Sequence, residues 1–411
     1  MLLLALGLRA GAAVGVQLYL NRIDRDFVIA GDADGYLELG RKLAAGEEYS
    51  AHDPPRRVMR MPGFPALLAV AVRIGGVHQL AVARALIVLC GVATCGLVCW
   101  LGALLFDLRT GLIAGVLAAV SPTLVGFSAI VLTETPFALT LTLSLIPLAV
   151  LSRDWRTDLS DRRPKFLVAA AAGLLIALAC FVRPSWLLVA PGFCAIHCAA
   201  MFCRNRQLFV TAVLESAVLC GVVVLAFVPW TVRNAEVTGH FVPTTLWVGP
   251  SLYDGLNPSA TGDSDMKFFE TDQLLQSMSE YEMDHEYRRR SIEYVKENPG
   301  RSVTLGLAKL WRFWKPWPNA SQFQSVWLCL GVAAFFVPMI GFAGLGGWRA
   351  CRGSCNTKAS PDRKSHRVLC VLCDSCDLRA LLLTAGPVLY FSGIHAVFVG
   401  SLRYRLPAEY P

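Results

Sequence analysis

The sequence predicts an all-α polytopic membrane protein of about nine transmembrane helices, with juxtamembrane helices in two outer loops. Three observations predict it. Of 411 residues, 55% are hydrophobic and only 17% charged, against about a quarter charged in a soluble chain. Several runs of about 17–25 apolar residues are each long enough to cross a hydrocarbon core of about 30 Å, and mean hydropathy is +0.50. The basic residues behind a formal charge of +8 gather in short loops between those runs. That is an orientation signal, and it argues against a nucleic-acid partner.

The first run, about 2–20, contains Arg9 and lacks a cleavage pattern, so it reads as a retained span. An arginine at that depth must snorkel or be paired. A polar loop from Asn21 to Met61 follows, carrying Gly31-Asp32-Ala33-Asp34-Gly35-Tyr36. Pro62-Gly63-Phe64-Pro65 then opens an apolar piece ending at Gly76, too short for a comfortable span and read as juxtamembrane. Further spans are expected at about 78–105, 111–127, 136–151, 166–182, 185–202, 207–229, 323–347 and 380–400. The chain is read as one transmembrane domain, 1–411, with a first outer loop at 21–77 and a long outer loop at 231–322. Within the long loop, Ser279–Lys296 and Thr304–Trp317 read as amphipathic helices, the second lying among lipid headgroups.

Basic residues cluster in 152–165, 203–206 and 348–379, which marks those loops as cytoplasmic. The Asp32 motif, Pro62–Pro65, Glu134, Arg183, Arg233 and Arg403-Tyr404-Arg405 then all face the other side. Most of the 14 cysteines sit in apolar runs as small hydrophobes, and the long outer loops contain none, so no disulfide framework is expected. Cys370, Cys373 and Cys376, near Cys351, Cys355 and His366, match no common zinc spacing. Asn319-Ala320-Ser321 is a glycosylation acceptor pattern on the outer side.

Asp32 and Asp34 are either a solvated, glycine-flanked turn or working carboxylates. As the latter they could deprotonate an acceptor or hold a divalent metal. Glu134 is either a helix-start carboxylate behind a Thr133 cap or a second acidic wall. Arg183, Arg233, Arg403 and Arg405, with Arg84 nearby, are singly interfacial snorkellers. Converging, they would clamp a phosphate, which suits planar guanidinium. His197 and His395 are expected to bond between helices, and Glu215 is an intramembrane acid without an assigned role.

In order, these motifs resemble the lipid-linked-sugar glycosyltransferases of GT-C architecture. The resemblance is to the branch of protein O-mannosyltransferases, lipid A aminoarabinose transferases and rhizobial galacturonosyltransferases. It rests on Gly31–Tyr36, Arg60-Met61-Pro62-Gly63-Phe64-Pro65, Ala83-Arg84, Leu132-Thr133-Glu134, Arg183-Pro184, Pro229-Trp230-Thr231-Val232-Arg233-Asn234, Gly249–Asn257 and Arg403-Tyr404-Arg405-Leu406-Pro407. It implies inverting transfer of a sugar from a polyprenyl phosphate to a lipid, glycan or protein acceptor. It places that transfer on the non-cytoplasmic face of the plasma (inner) membrane, in cell-envelope lipopolysaccharide or protein glycosylation. The family's spacing to an aromatic selects Asp32, four residues before Tyr36, as base, with Asp34 and Glu134 assisting. Tyr36, Arg84, Arg183, Arg233, Asn234, Tyr253, Arg403, Tyr404 and Arg405 are then substrate-binding. No cofactor is required, and Asp32/Asp34 is where a metal would sit. Family members continue with further spans after Arg-Tyr-Arg-x-Pro, whereas this chain ends at Pro411. A truncated, inactive homologue is one alternative, and a transporter or flippase of lipid-linked substrates is the other.

Overall fold

The computed structural model describes residues 1–155, 164–204, 206–319, 323–355 and 376–411. Much of the basic loops at 152–165 and 348–379, the cysteine cluster and part of the Asn319 sequon lie outside the described residues. The described chain is helical, with one isolated bridge, Ala51 to Arg56, and no strand.

Its helices are α1 Leu2–Arg22, α2 Ala30–Ala45, α3 Gly63–Gly75, α4 Gln79–Leu105, α5 Leu108–Val120, α6 Pro122–Phe127 and α7 Glu134–Leu151. Next come α8 Phe166–Val182, α9 Val189–Phe202, α10 Arg206–Thr238, α11 Val248–Gly255, α12 Phe268–Asp272, α13 Leu274–Ser277, α14 Glu280–Glu297 and α15 Pro299–Trp314. The last are α16 Val326–Cys355, α17 Cys376–Thr384, α18 Gly386–Val397 and α19 Leu402–Glu409.

This is a polytopic membrane protein, but six helical stretches rather than nine are long and apolar enough to cross a membrane among the described residues. Two of the expected runs are broken where proline removes a backbone donor. Pro122 divides α5 from α6, and Gly386-Pro387 divides α17 from α18. The expected span at 166–182 is helical but only 17 residues long. In the opposite sense, α10 continues through Pro229 to Thr238, past its expected end.

The central helix is α7. Of its residues 83% are buried, against 11% in the most apolar windows of α1 and of Val326–Gly346 in α16. Its polar residues satisfy themselves: Thr140 and Ser144 hydroxyls donate to carbonyls one turn back, at Phe137 (3.1 Å) and Leu141 (2.6 Å). α4 packs on α5 across a two-residue connection, and α7 packs on α8. A Cβ on Gly102 would stand 2.8 Å from the Gly111 Cα, so glycine lets α4 and α5 touch backbone to backbone. Arg9 is fully buried, and its guanidinium donates to the terminal carbonyls of α5, Ala119 (3.1 Å) and Ala118 (3.0 Å). It caps the negative end of that helix dipole.

At the opposite end of the bundle from Asp32, the Trp155 indole donates to His197 Nδ1 (2.8 Å). The proton of His197 is therefore on Nε2, which donates to Glu215 (3.0 Å). The Lys165 backbone N–H donates to the other oxygen of Glu215 (2.7 Å). The intramembrane acid is thus a bonded link between α8, α9 and α10.

Both outer-loop helices form as expected. Ser279 and Glu282 make a reciprocal capping box at the start of α14. α15 buries Leu305, Lys309 and Phe313 while exposing Val303, Leu307 and Trp311.

Candidate active site

Asp32 lies in the first turn of a helix, not in a glycine turn. α2 forms because Ala33, Leu37 and Gly40 bury against α3, where a Cβ on Gly40 would meet Leu68 Cβ at 2.8 Å. That packing outweighs the helix cost of Gly31 and Gly35, about 1 kcal/mol each. The first-turn position suits a carboxylate, and the Asp32 side chain remains 36% exposed.

Two arginines share Asp32. Arg60 Nη2 donates to Oδ1 at 3.0 Å, and Arg403 Nη1 donates to Oδ2 at 2.8 Å. Arg60 comes from the loop before α3, where the Tyr49 hydroxyl donates to its carbonyl (3.2 Å). Its guanidinium lies 4.1 Å from the Tyr36 ring centroid, and Tyr36 meets Phe64 edge-on. Arg403 sits in the first turn of α19 and reaches both acids, its Nε donating to Glu134 Oε1. Glu134 opens α7 and is 1% exposed. Its Oε1 also accepts from Arg183 Nη2 (2.6 Å), and Arg183 Nε donates to the Thr133 hydroxyl (2.8 Å). Thr133 thus orients an arginine instead of capping α7. Glu134 Oε2 is buried without a hydrogen-bond partner. The Tyr404 ring has the Arg183 and Arg403 guanidiniums each 5.7 Å from its centroid, and His395 stacks on it at 4.7 Å.

Three guanidiniums therefore meet two carboxylates, and the cluster carries one positive charge in excess. Burial would raise the Asp32 pKa, but Arg403 and then Arg60 outweigh it and hold the carboxyl well below the usual range. The same exchange works on Arg403: burial opposes its charge, while Glu134 and Asp32 push its pKa well above the ordinary value.

The structure brings together Asp32, Glu134, Tyr36, Arg183, Arg403 and Tyr404 from the sequence-predicted set. It places the others elsewhere. Asp34 is exposed; two residues along a helix is about 200° of rotation. Arg84 bonds Gln17 and the Asp26 carbonyl, tying α4 to the end of α1. Arg233 donates to the carbonyls of Arg57 (2.6 Å) and Tyr49 (3.1 Å), stapling the first outer loop to α10. Asn234 holds the turn after α10 through the carbonyls of Val242 (2.9 Å) and Thr244 (3.3 Å). Tyr253 packs on Phe268 and Tyr287 within the long outer loop. Arg405 is fully buried, donating to the Phe313 carbonyl (2.6 Å) and pairing with Glu409.

Arg60, Thr133 and His395 are the members that the sequence reading did not assign to the site. Arg60 carried a signal, as the charged residue at the head of the Pro62–Pro65 motif. Among the described residues no three His, Cys, Asp or Glu side chains converge to hold a metal ion. Asp32 and Asp34 do not face one another, so that pair does not fit a divalent cation.

An apolar cavity of 1040 Å³ lies against α19, the helix that carries Arg403. Leu117, Trp314, Phe336, Met339 and Leu389 line it, with Arg405 at its polar edge.

No protein-family model matches the chain, and no curated protein matches it. Among solved structures it is similar to the Archaeoglobus fulgidus oligosaccharyltransferase tethered with an acceptor peptide, at 14% identity and a TM-score of 0.47 over 92% of this chain. It is also similar to the same organism's oligosaccharyltransferase AglB in complex with an inhibitory peptide and a dolichol-phosphate, at 15% identity and a TM-score of 0.45. The chain spans just under half of those proteins, 45% and 46%. A third similar structure is ArnT from Cupriavidus metallidurans bound to undecaprenyl phosphate, at 14% identity and a TM-score of 0.42, covering 91% of this chain and 77% of that one.

Proposed function

We propose that the protein is a membrane glycosyltransferase that moves a sugar from a polyprenyl-phosphate donor to a lipid, glycan or protein acceptor, with inversion. The observation that carries this reading is the accessible Asp32 carboxylate inside a cluster with one excess positive charge. The order of motifs that assembles the cluster supports it. Asp32 is the general base on the acceptor hydroxyl or amine. As the acceptor oxygen or nitrogen bonds to the anomeric carbon, the bond from that carbon to the phosphate oxygen breaks. The acceptor proton passes to Asp32, and the lipid phosphate leaves with the electron pair. Arg403 and Arg183 neutralise the leaving phosphate, where charge grows in the transition state. Glu134 orients both arginines. The apolar cavity takes part of the prenyl chain. The basic residues gathered at 152–165, 203–206 and 348–379 support a reaction on the non-cytoplasmic face of the inner membrane.

Purified protein given a labelled polyprenyl-phosphate sugar and extracted membrane lipids should release free lipid phosphate. Asp32→Asn should lower the rate by about 10²–10⁴-fold while leaving membrane insertion intact. Near-normal transfer by that variant would remove Asp32 from the role. No lipid phosphate release by the wild type would favour a transporter or an inactive homologue.

A further inference from the structure

We propose that the donor's phosphate switches Asp32 on by drawing Arg403 away from it; this rests on the donor reading above. Asp32 has both oxygens engaged, Oδ1 by Arg60 at 3.0 Å and Oδ2 by Arg403 at 2.8 Å. A carboxylate held in two charge-assisted bonds is a poor proton acceptor. It must lose one bond before it can serve an acceptor group.

The two arginines are not equally free to leave. Arg60 is anchored at three points. Its carbonyl accepts from Tyr49, its guanidinium rests on Tyr36, and its loop is stapled to α10 where Arg233 donates to the carbonyls of Arg57 and Tyr49. Arg403 is shared between Asp32 and Glu134, and comes from α19, a helix of 8 residues. When its Nη1 turns from Asp32, neither acid is stranded. Arg60 still holds Asp32, and Arg183 still holds Glu134 at 2.6 Å.

A phosphate has the chemistry to win Arg403. Its two non-bridging oxygens can take the planar guanidinium in a bidentate pair, where Asp32 offers Arg403 a single oxygen. A polyprenyl phosphosugar is a phosphodiester with one negative charge, which matches the cluster's excess. Once bound it neutralises the cluster and leaves Asp32 with one free oxygen. The base is therefore ready only in the donor complex.

The probe is a short prenyl methyl phosphodiester, which carries the donor's charge without its sugar. A water-soluble carbodiimide and an amine convert accessible carboxyls to amides, read site by site by peptide mass spectrometry. Asp34, exposed two residues away, is the internal reference. In the ligand-free wild type, Asp32 should label slowly relative to Asp34. Adding the diester should raise the Asp32 rate about tenfold, the size of a one-unit pKa rise, with Asp34 unchanged. Arg403→Gln should label at the raised rate without ligand. If that variant fails to fold, Arg403→Lys serves, because one ammonium cannot span both acids. Thermal stabilisation by the diester reports binding separately. Stabilisation with Asp32 labelling unchanged or slower overturns the switch and leaves the donor reading standing. Slow labelling in a folded Arg403 variant also overturns it. An absence of both stabilisation and labelling change overturns the donor reading, and the switch with it.

Discussion

At the scale of the residue, two pairs decide what the site contains. Asp32 and Asp34 are two apart in sequence, and so are Arg403 and Arg405. Read along the chain, each looks like a two-pronged device. On a helix, two residues are about 200° apart, and both pairs lie on helices. Asp32 therefore enters the cluster while Asp34 meets solvent. Arg403 binds both acids, while Arg405 turns to the Phe313 carbonyl and the Phe336 ring. The charge on Asp32 has a measurable sign. Its folded pKa is depressed, after burial's upward push, by Arg403 and Arg60. It therefore stabilises the fold above the unfolded carboxylate value of about 3.9, and that contribution fades as pH falls toward the folded value. Thermal unfolding between pH 6 and 3 should show the wild type losing stability below about pH 4. Asp32→Asn should show a flatter acid limb. Parallel curves for the two proteins would mean that the arginines do not hold the folded carboxyl down. The partners of Asp32 were legible only in part, because contacts across 28 and 371 residues leave no mark in local spacing.

At the scale of the element, α2 is where sequence and structure part most clearly. Glycines at 31 and 35 suggest a turn, and propensity alone supports that suggestion. Burial of Ala33 and Leu37 against α3 outweighs it, a tertiary effect that local composition cannot display. Two interior positions of this helix should respond oppositely to a single methyl group. On Gly35, a Cβ meets only the Arg60 guanidinium at 3.9 Å, an ordinary contact. Gly35→Ala should therefore stabilise the protein by about 0.5–1 kcal/mol and keep transfer activity. On Gly40, a Cβ would stand 2.8 Å from Leu68 Cβ and 3.3 Å from the Ala69 backbone nitrogen. Gly40→Ala should push α2 off α3, lower the melting temperature and move Asp32 out of reach of Arg403. Thermal melts and transfer rates of the two variants, measured side by side, check the contrast. Equal effects would show that α2 does not depend on close packing at Gly40. The span breaks at Pro122 and Gly386-Pro387 are the converse case. There the residue responsible was visible in the sequence, and reading by hydrophobic run length passed over it.

At the scale of the whole molecule, the acid–arginine cluster and the apolar cavity meet at α19. This helix presents Arg403 to Asp32 and Glu134, and Arg405, Ala408 and Glu409 to the cavity. A donor with an anionic head and a long hydrocarbon tail would lie across it, head on Arg403 and tail toward Leu117 and Met339. The sequence carried the polar half of this layout, since each cluster residue lies at or near the end of an apolar run. The cavity was not legible, because the residues that α5, α16, α17 and α18 turn to it are mostly apolar, as are many on their other sides. On the proposed reading, this layout would separate chain recognition from chemistry. Ala114 lines the cavity from α5, and no α5 side chain is part of the acid–arginine cluster. Ala114→Trp should fill part of the space and raise KM for a long-chain polyprenyl donor about tenfold, equal to about 1.4 kcal/mol of lost apolar contact. For a donor too short to enter the cavity, KM should stay unchanged, and kcat should stay unchanged for both, because Asp32 and its arginines are undisturbed. A KM increase of the same size for both donors would place the prenyl chain elsewhere on the helical bundle. A fall in kcat instead would mean that α5 supports the geometry of the cluster, and that head and tail are not read independently.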